Sequence, residues 1–183
     1  MTPPRPPIAA KASERLLVPK ATKIRPPALD ILVEAGEWPP KARLKRIAAT
    51  VVEAALIRLK LDLADGAELS IVFTDDAHIK SLNRKFRQKN KPTNVLSFPG
   101  APAANGGIGP ILGDIVLGLE TVSREAVAAG LTLEAHLAHL ILHGFLHILG
   151  YDHENDGEAK IMEGLETAIL GGIGIADPYE RQR

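Results

Sequence analysis

The sequence predicts an α+β (mixed α/β) fold: a small mixed sheet of about four strands with about five helices, one of them central, buried and rich in histidine. Three observations carry that expectation. Short β-branched runs alternate with longer stretches of helical apolar spacing. Of the 183 residues, 45% are hydrophobic and 24% charged, enough apolar side chains for one domain with its own core. No internal repeat breaks the order of elements.

Taken in order, the chain begins with a segment that stands apart. Nine of the fourteen prolines fall in the first 40 residues. Proline fixes φ and removes a backbone donor, so residues 1–27 are expected to form a disordered basic tail. A single domain is expected over residues 28–175, followed by a flexible C-terminal tail over 176–183. Asp30 to Trp38 reads as a strand closed by Pro39 and Pro40. Lys41 to Leu61 carries Leu44, Ile47, Ala48, Val51, Ala54, Ala55 and Leu59 at helical spacing. Leu69 to Phe73 is a short strand, and Thr74 or Asp75 caps a helix running towards Arg87.

Asn94 to Phe98 is the next strand, held between Pro92 and Pro99. Ala101 to Pro110 is a loop by composition, and Gly113 to Leu119 is a strand that enters a helix ending at Gly130. Thr132 starts the histidine helix, which runs to Gly150, and a last helix covers about Asp156 to Leu170.

Charge and cysteine content narrow the function. Lys and Arg total 22 and Asp and Glu also 22, so no bulk field announces a nucleic-acid or membrane partner. The ends nevertheless differ in sign: Met1 to Arg46 holds ten basic residues against four acids, and Asp152 to Arg183 eight acids against three basic residues. With no cysteine, a disulfide scaffold, a thiolate zinc site and a cysteine nucleophile are all excluded. Metal chemistry must then use His and carboxylates. No apolar run approaches the roughly 18 to 20 residues of a membrane span, and the N-terminus lacks a signal-peptide core, so the cytoplasm is the expected compartment.

Five of the six histidines lie between His136 and His153. On a helix, His136, His139, His143 and His147 fall within an arc of about 80°. The rest of that helix is mostly Leu, Ile and Phe, so the imidazoles are carried into apolar surroundings and need partners. A metal ion satisfies several nitrogens at once. His143 and His147 stand one above the other at i and i+4, and Gly150 can turn the chain to bring His153 round. Three His ligands with a fourth position open is the catalytic zinc pattern. A lone histidine would more often be a core or surface residue; three with a turn glycine point to a metal.

The string from His143 to His153 (HGFLHILGYDH) has the ligand offsets of the zinc-protease signature HExxHxxGxxH, but Gly144 stands in place of the glutamate. That glutamate is the protease's general base, so proteolysis by that route has no proton acceptor. The same string resembles the HGxLHxxGYDH signature of the YbeY family of endoribonucleases, the rRNA maturation factors. Leu82 to Pro99 and Leu112 to Val116 resemble two further segments of that family, and the likeness spans about Asp30 to Leu170.

The resemblance implies one zinc per chain held by His143, His147 and His153, with His143 and His147 as catalytic positions. It implies cleavage of single-stranded RNA in maturation of the small-subunit (16S) rRNA 3′ end and in ribosome quality control. The family's functionally important arginine maps to Arg87. Implied partners are ribosomal RNA and the small ribosomal subunit, with a small-subunit ribosomal protein or an assembly GTPase as further candidates.

Lys80 to Lys91 holds six basic residues in twelve and no acid. Alone, such a run reads as a solvated helix face; beside a metal site it reads as a phosphate grip, with Lys85, Arg87, Lys89 and Lys91 as the RNA-binding candidates. Aromatic residues for stacking are scarce, Phe86 and Phe98 being the nearby ones. His136 reads as a surface or supporting histidine, and His139 as one that orients a ligand or bound water. Asp152 is a candidate to take a ligand's other N–H. Met162 either underlies the metal or packs in the core, and Asp114 is either a cleft carboxylate or the start of a strand. Two other readings stay open: a different metallohydrolase such as a peptidase, and a non-catalytic ribosome-assembly factor whose zinc braces the fold.

Overall fold

The computed structural model describes residues 25–103 and 108–180. The tail expected over 1–27 lies, up to residue 24, outside them. The described residues form β1 (Ala28–Val33), α1 (Lys41–Leu59), β2 (Glu68–Thr74), α2 (Asp76–Arg87), β3 (Val95–Pro99), β4 (Ile111–Gly118), α3 (Leu119–Ala129), α4 (Leu133–Ile148) and α5 (Asp156–Gly172). This is the mixed fold expected, with four strands and five helices. Among the described residues no single helix is long and apolar enough to cross a membrane.

The sheet runs β1-β2-β4-β3. β1, β2 and β4 are parallel, joined by crossovers, while β3 lies antiparallel on β4 at the edge. Side chains alternate between two faces. Ile71, Phe73, Ile115 and Leu117 enter the main core under α1, α4 and α5. Val72, Leu96 and Val116 face the other way, where Ile79 and Leu82 of α2 cover them. β4 is therefore buried on both sides, which is why its sequence reads as a nearly continuous apolar run.

Boundaries follow local chemistry. Asp75, not Thr74, caps α2, accepting from the His78 N–H at 2.8 Å. The first strand stops at Val33, short of the predicted Trp38, because its pairing with β2 ends there. Beyond it Trp38 folds back, donating its indole N–H to the Thr74 carbonyl at 3.2 Å and packing edge-on to Phe73.

The segment expected to be a loose C-terminal tail is tied down as far as Tyr179. Thr167 donates to Asp177 at 3.0 Å, the Tyr179 N–H donates to the same carboxylate at 2.9 Å, and the tyrosine hydroxyl reaches the buried Glu166. Composition concealed this, because two polar contacts to α5, Thr167 to Asp177 and Tyr179 to Glu166, do the holding.

Candidate metal centre

Helix α4 is the middle of the molecule: Leu137, Ile141, Leu142, Phe145 and Leu146 are wholly buried. Their burial fixes the helix in place and carries the histidines on its remaining side into the interior. Thr132 caps the helix by accepting from the Ala135 N–H at 3.1 Å. At the far end Gly150 takes φ +91°, a left-handed turn that glycine makes without steric cost. Tyr151 and Asp152 then lead back to His153. One ring nitrogen each from His143, His147 and His153 lies within 4.8 Å of the others.

The outward nitrogens decide what the inward ones can do. Nδ1 of His147 lies 3.0 Å from the Tyr151 carbonyl oxygen, which only accepts, so Nδ1 carries the proton. Nδ1 of His143 lies 2.8 Å from Glu166 Oε1 and donates likewise. With Nδ1 so engaged, each ring turns its Nε2 inward, and the two Nε2 atoms face each other at 3.1 Å. Two lone pairs that close repel unless a cation lies between them. Burial first, then the neighbouring His143 and His153, push His147 down to about 4, which keeps the lone pair of its Nε2 free. A metal ion bonded to imidazoles at roughly 2.0–2.1 Å sets tetrahedral ligand atoms about 3.3 Å apart. The donor set fits one.

Glu166 was not found from the sequence. It is wholly buried on α5, accepting from His143 through Oε1. Its Oε2 takes the Tyr179 hydroxyl and lies 3.3 Å from His139 Nε2. Burial opposes its ionisation, but hydrogen bonds and charge from His139 and His143 outweigh that and hold the carboxyl down to about 2. Burial and the Glu166 charge push the Tyr179 hydroxyl up, so it remains a donor. The legible trace was an acid on the apolar stripe Met162, Glu166, Ile169, Leu170, where an unpaired charge would be costly.

The remaining candidates sort themselves by contact. His139 acts on His143 through Glu166, not directly. His136 is not at the surface: it is buried and pairs with Glu125 at 3.0 Å, a carboxylate that Asn94 also donates to. Asp152 leaves the His147 N–H to the Tyr151 carbonyl, sitting 3.9 Å from it and accepting instead from the His153 backbone N–H at 2.8 Å. Met162 is buried in the main core. Asp114 is exposed on β4 and does not line the cleft beside the histidines.

That cleft has a volume of about 410 Å³. His147, Gly150 and Asp152 line it together with Arg87, Ser97 and Pro99. Arg87 reaches it as the last residue of α2, before Gln88 turns the chain at φ +58°. The other basic candidates are divided from it. Lys85 lines a separate hollow with Lys80, Arg84 and Asn90, while Lys89 and Lys91 are exposed and line neither.

Gly144 is buried where α4 crosses the sheet. A Cβ there would lie 3.0 Å from both Ile115 Cγ2 and Ser97 Oγ. The glycine therefore permits close helix–sheet packing, and a side chain at this position would require Ile115 and Ser97 to yield by a few tenths of an ångström.

The profile of the family described as endoribonuclease YbeY matches residues 33–174. A Rhizobium meliloti protein named endoribonuclease YbeY is 49% identical over 160 residues, covering 84% of this chain and 95% of that protein. Its namesake from Sinorhizobium medicae is 50% identical over 157 residues, covering 82% and 94%. A solution structure from Thermotoga maritima aligns with 79% of this chain and 91% of its own at 23% identity and a TM-score of 0.49. On the extent of the profile match and the identity to these proteins, the chain belongs to the YbeY endoribonuclease family.

Proposed function

We propose that this chain is a zinc-dependent endoribonuclease that cuts single-stranded RNA, with the 3′ end of small-subunit rRNA as its natural substrate. The observation that carries this reading is the cleft shared by His147 and Arg87, a metal-ligand candidate and a guanidinium lining one hollow. The named activity of the relatives agrees with it.

His143, His147 and His153 would hold the zinc, one ion per chain, through nitrogens whose availability the Glu166 and Tyr151 contacts fix. When bound, the ion supplies Lewis acidity to a phosphate oxygen or to water. Arg87 grips the scissile phosphate in a two-pronged fork and meets the charge that grows on it as the pentacovalent transition state forms. Lys85, Lys89 and Lys91 neutralise neighbouring phosphates and hold the strand. Ribosomal RNA in the small subunit is the partner, in the cytoplasm, with a small-subunit ribosomal protein or assembly GTPase in attendance.

The test pairs metal content of the purified chain with cleavage of a single-stranded RNA, for the native protein and for His147→Ala. One zinc per chain and endonucleolytic products are expected from the native protein, and neither from the variant. Casein turnover without RNA cleavage would make it a peptidase. A folded variant that still supports rRNA processing would make it an assembly factor with a bracing metal.

A further inference from the structure

Phe86 is 54% exposed in the most basic stretch of the chain. Exposed aromatic rings gain nothing from water, and the remainder of α2's apolar stripe, Ile79 and Leu82, turns inward onto the sheet. Phe86 instead leans on Phe98 of β3, ring centroids 5.1 Å apart and edge to face, which holds it upright. Its neighbours on the helix point to different places. Arg87 lines the cleft with His147, whereas Arg84 and Lys85 line the basic hollow. Phe98 sits on the α2 face of edge strand β3, while its neighbours Ser97 and Pro99, turned to the other face, line the cleft, so the ring pair and the cleft share one strand.

We infer that Phe86 is a stacking platform for an unpaired base of single-stranded RNA, seated next to the nucleotide whose phosphate meets Arg87. The inference rests on the RNA reading above and adds the feature that selects single strands. A base in a duplex has both faces covered by its neighbours, whereas an unpaired base can turn a π-face to an aromatic side chain. Lys85 Nζ hovers 5.0 Å from the centroid of the Phe86 ring. Being exposed, it can leave the ring for a phosphate as the base arrives, so one strand engages the cleft, the ring and the basic hollow in turn. Phosphate contacts alone would hold a duplex as well as a single strand.

The experiment measures binding of a short single-stranded RNA carrying 2-aminopurine, before turnover, to the native protein and to Phe86→Ala, Phe86→Leu and Phe86→Trp. Phe86→Ala should bind about tenfold or more weakly with an unchanged salt slope, since no charge is lost. Phe86→Leu should not restore binding, and Phe86→Trp should restore it, with its indole emission quenched as RNA saturates. Metal content and melting temperature should be level across the set.

Equal binding by the native protein, Phe86→Ala and Phe86→Leu overturns the platform while leaving the nuclease intact. Unchanged RNA binding with lost capture of a ribosomal protein would assign the ring to a protein partner and overturn it too. If the native protein neither binds nor cuts RNA, the RNA reading falls first and the platform with it.

Discussion

Glu166 Oε1 accepts the Nδ1–H of His143 at 2.8 Å, while its second oxygen takes the hydroxyl of Tyr179 from the C-terminal segment. A buried carboxylate thus links a part of the chain remote in sequence to the ring that offers its Nε2 to the metal site. It fixes the tautomer of His143 and raises the basicity of that nitrogen.

Glu166→Gln should therefore weaken metal binding by roughly ten- to a hundredfold, because the amide neither carries the charge nor accepts from both sides. Chelator competition measures it. Tyr179→Phe should show a smaller loss in the same assay. Native affinity in Glu166→Gln would mean that the carboxylate only fills space.

The metal-free chain should lose stability as pH falls from about 6.5 towards 4. His147 has an ordinary value of 6.5 and is pushed down to about 4 by burial and by the neighbouring imidazoles. Within that window the unfolded chain binds a proton that the folded chain refuses, so acid favours unfolding. Below pH 4.5 Glu166 adds to the loss, since its folded value is held at about 2. Melting curves of the metal-free native protein and of His147→Ala across this range check the assignment. The variant should have the flatter dependence between pH 6.5 and 4.5.

The ligand trio was legible because helical spacing is a rule of backbone geometry: i and i+4 share a face whatever the fold around them, and Gly150 marks the turn. The strand and helix order was legible for the same reason, each element carrying its own period. Glu166 was not, because its role is created by α5 packing against α4, and no local pattern reports which residue of one helix will meet a histidine of another. His136 was misplaced for a related reason. Its spacing puts it on the histidine stripe, but that end of the stripe lies under α3, where Glu125 meets it. The basic run concealed a division that depends on helix phase, with Arg87 turned to the cleft and Lys85 to the neighbouring hollow.

Gly144→Glu, which would recreate the zinc-protease signature, should not create a peptidase. Its Cβ would already press on Ile115 Cγ2 and Ser97 Oγ at 3.0 Å, and the charge would be added at a buried position of α4. An unpaired buried charge belongs to the mechanisms that cost about 4 kcal/mol or more. Thermal unfolding should drop steeply, with no casein turnover. A stable variant that hydrolyses casein would show that the cleft has space for the base after all.

Arg87→Ala tests the division of labour among the basic residues. Lys85, Lys89 and Lys91 are exposed and stand outside the histidine cleft, so changing any one to Ala should weaken RNA binding modestly and lower the salt slope by about one unit. Arg87 lines that cleft together with His147 and is assigned to charge that develops during the reaction. Its loss should cut the rate under saturating RNA by on the order of a hundredfold or more, as removal of one preorganised donor does. Metal content and folding should hold, because Arg87 is not among the three clustered histidines. Arg87→Lys should recover part of the rate and no more, since a point charge cannot reproduce two parallel hydrogen bonds to one phosphate. A variant that only needs more RNA to reach an unchanged maximal rate would make Arg87 one more phosphate anchor, and the shared cleft would then reflect binding rather than catalysis.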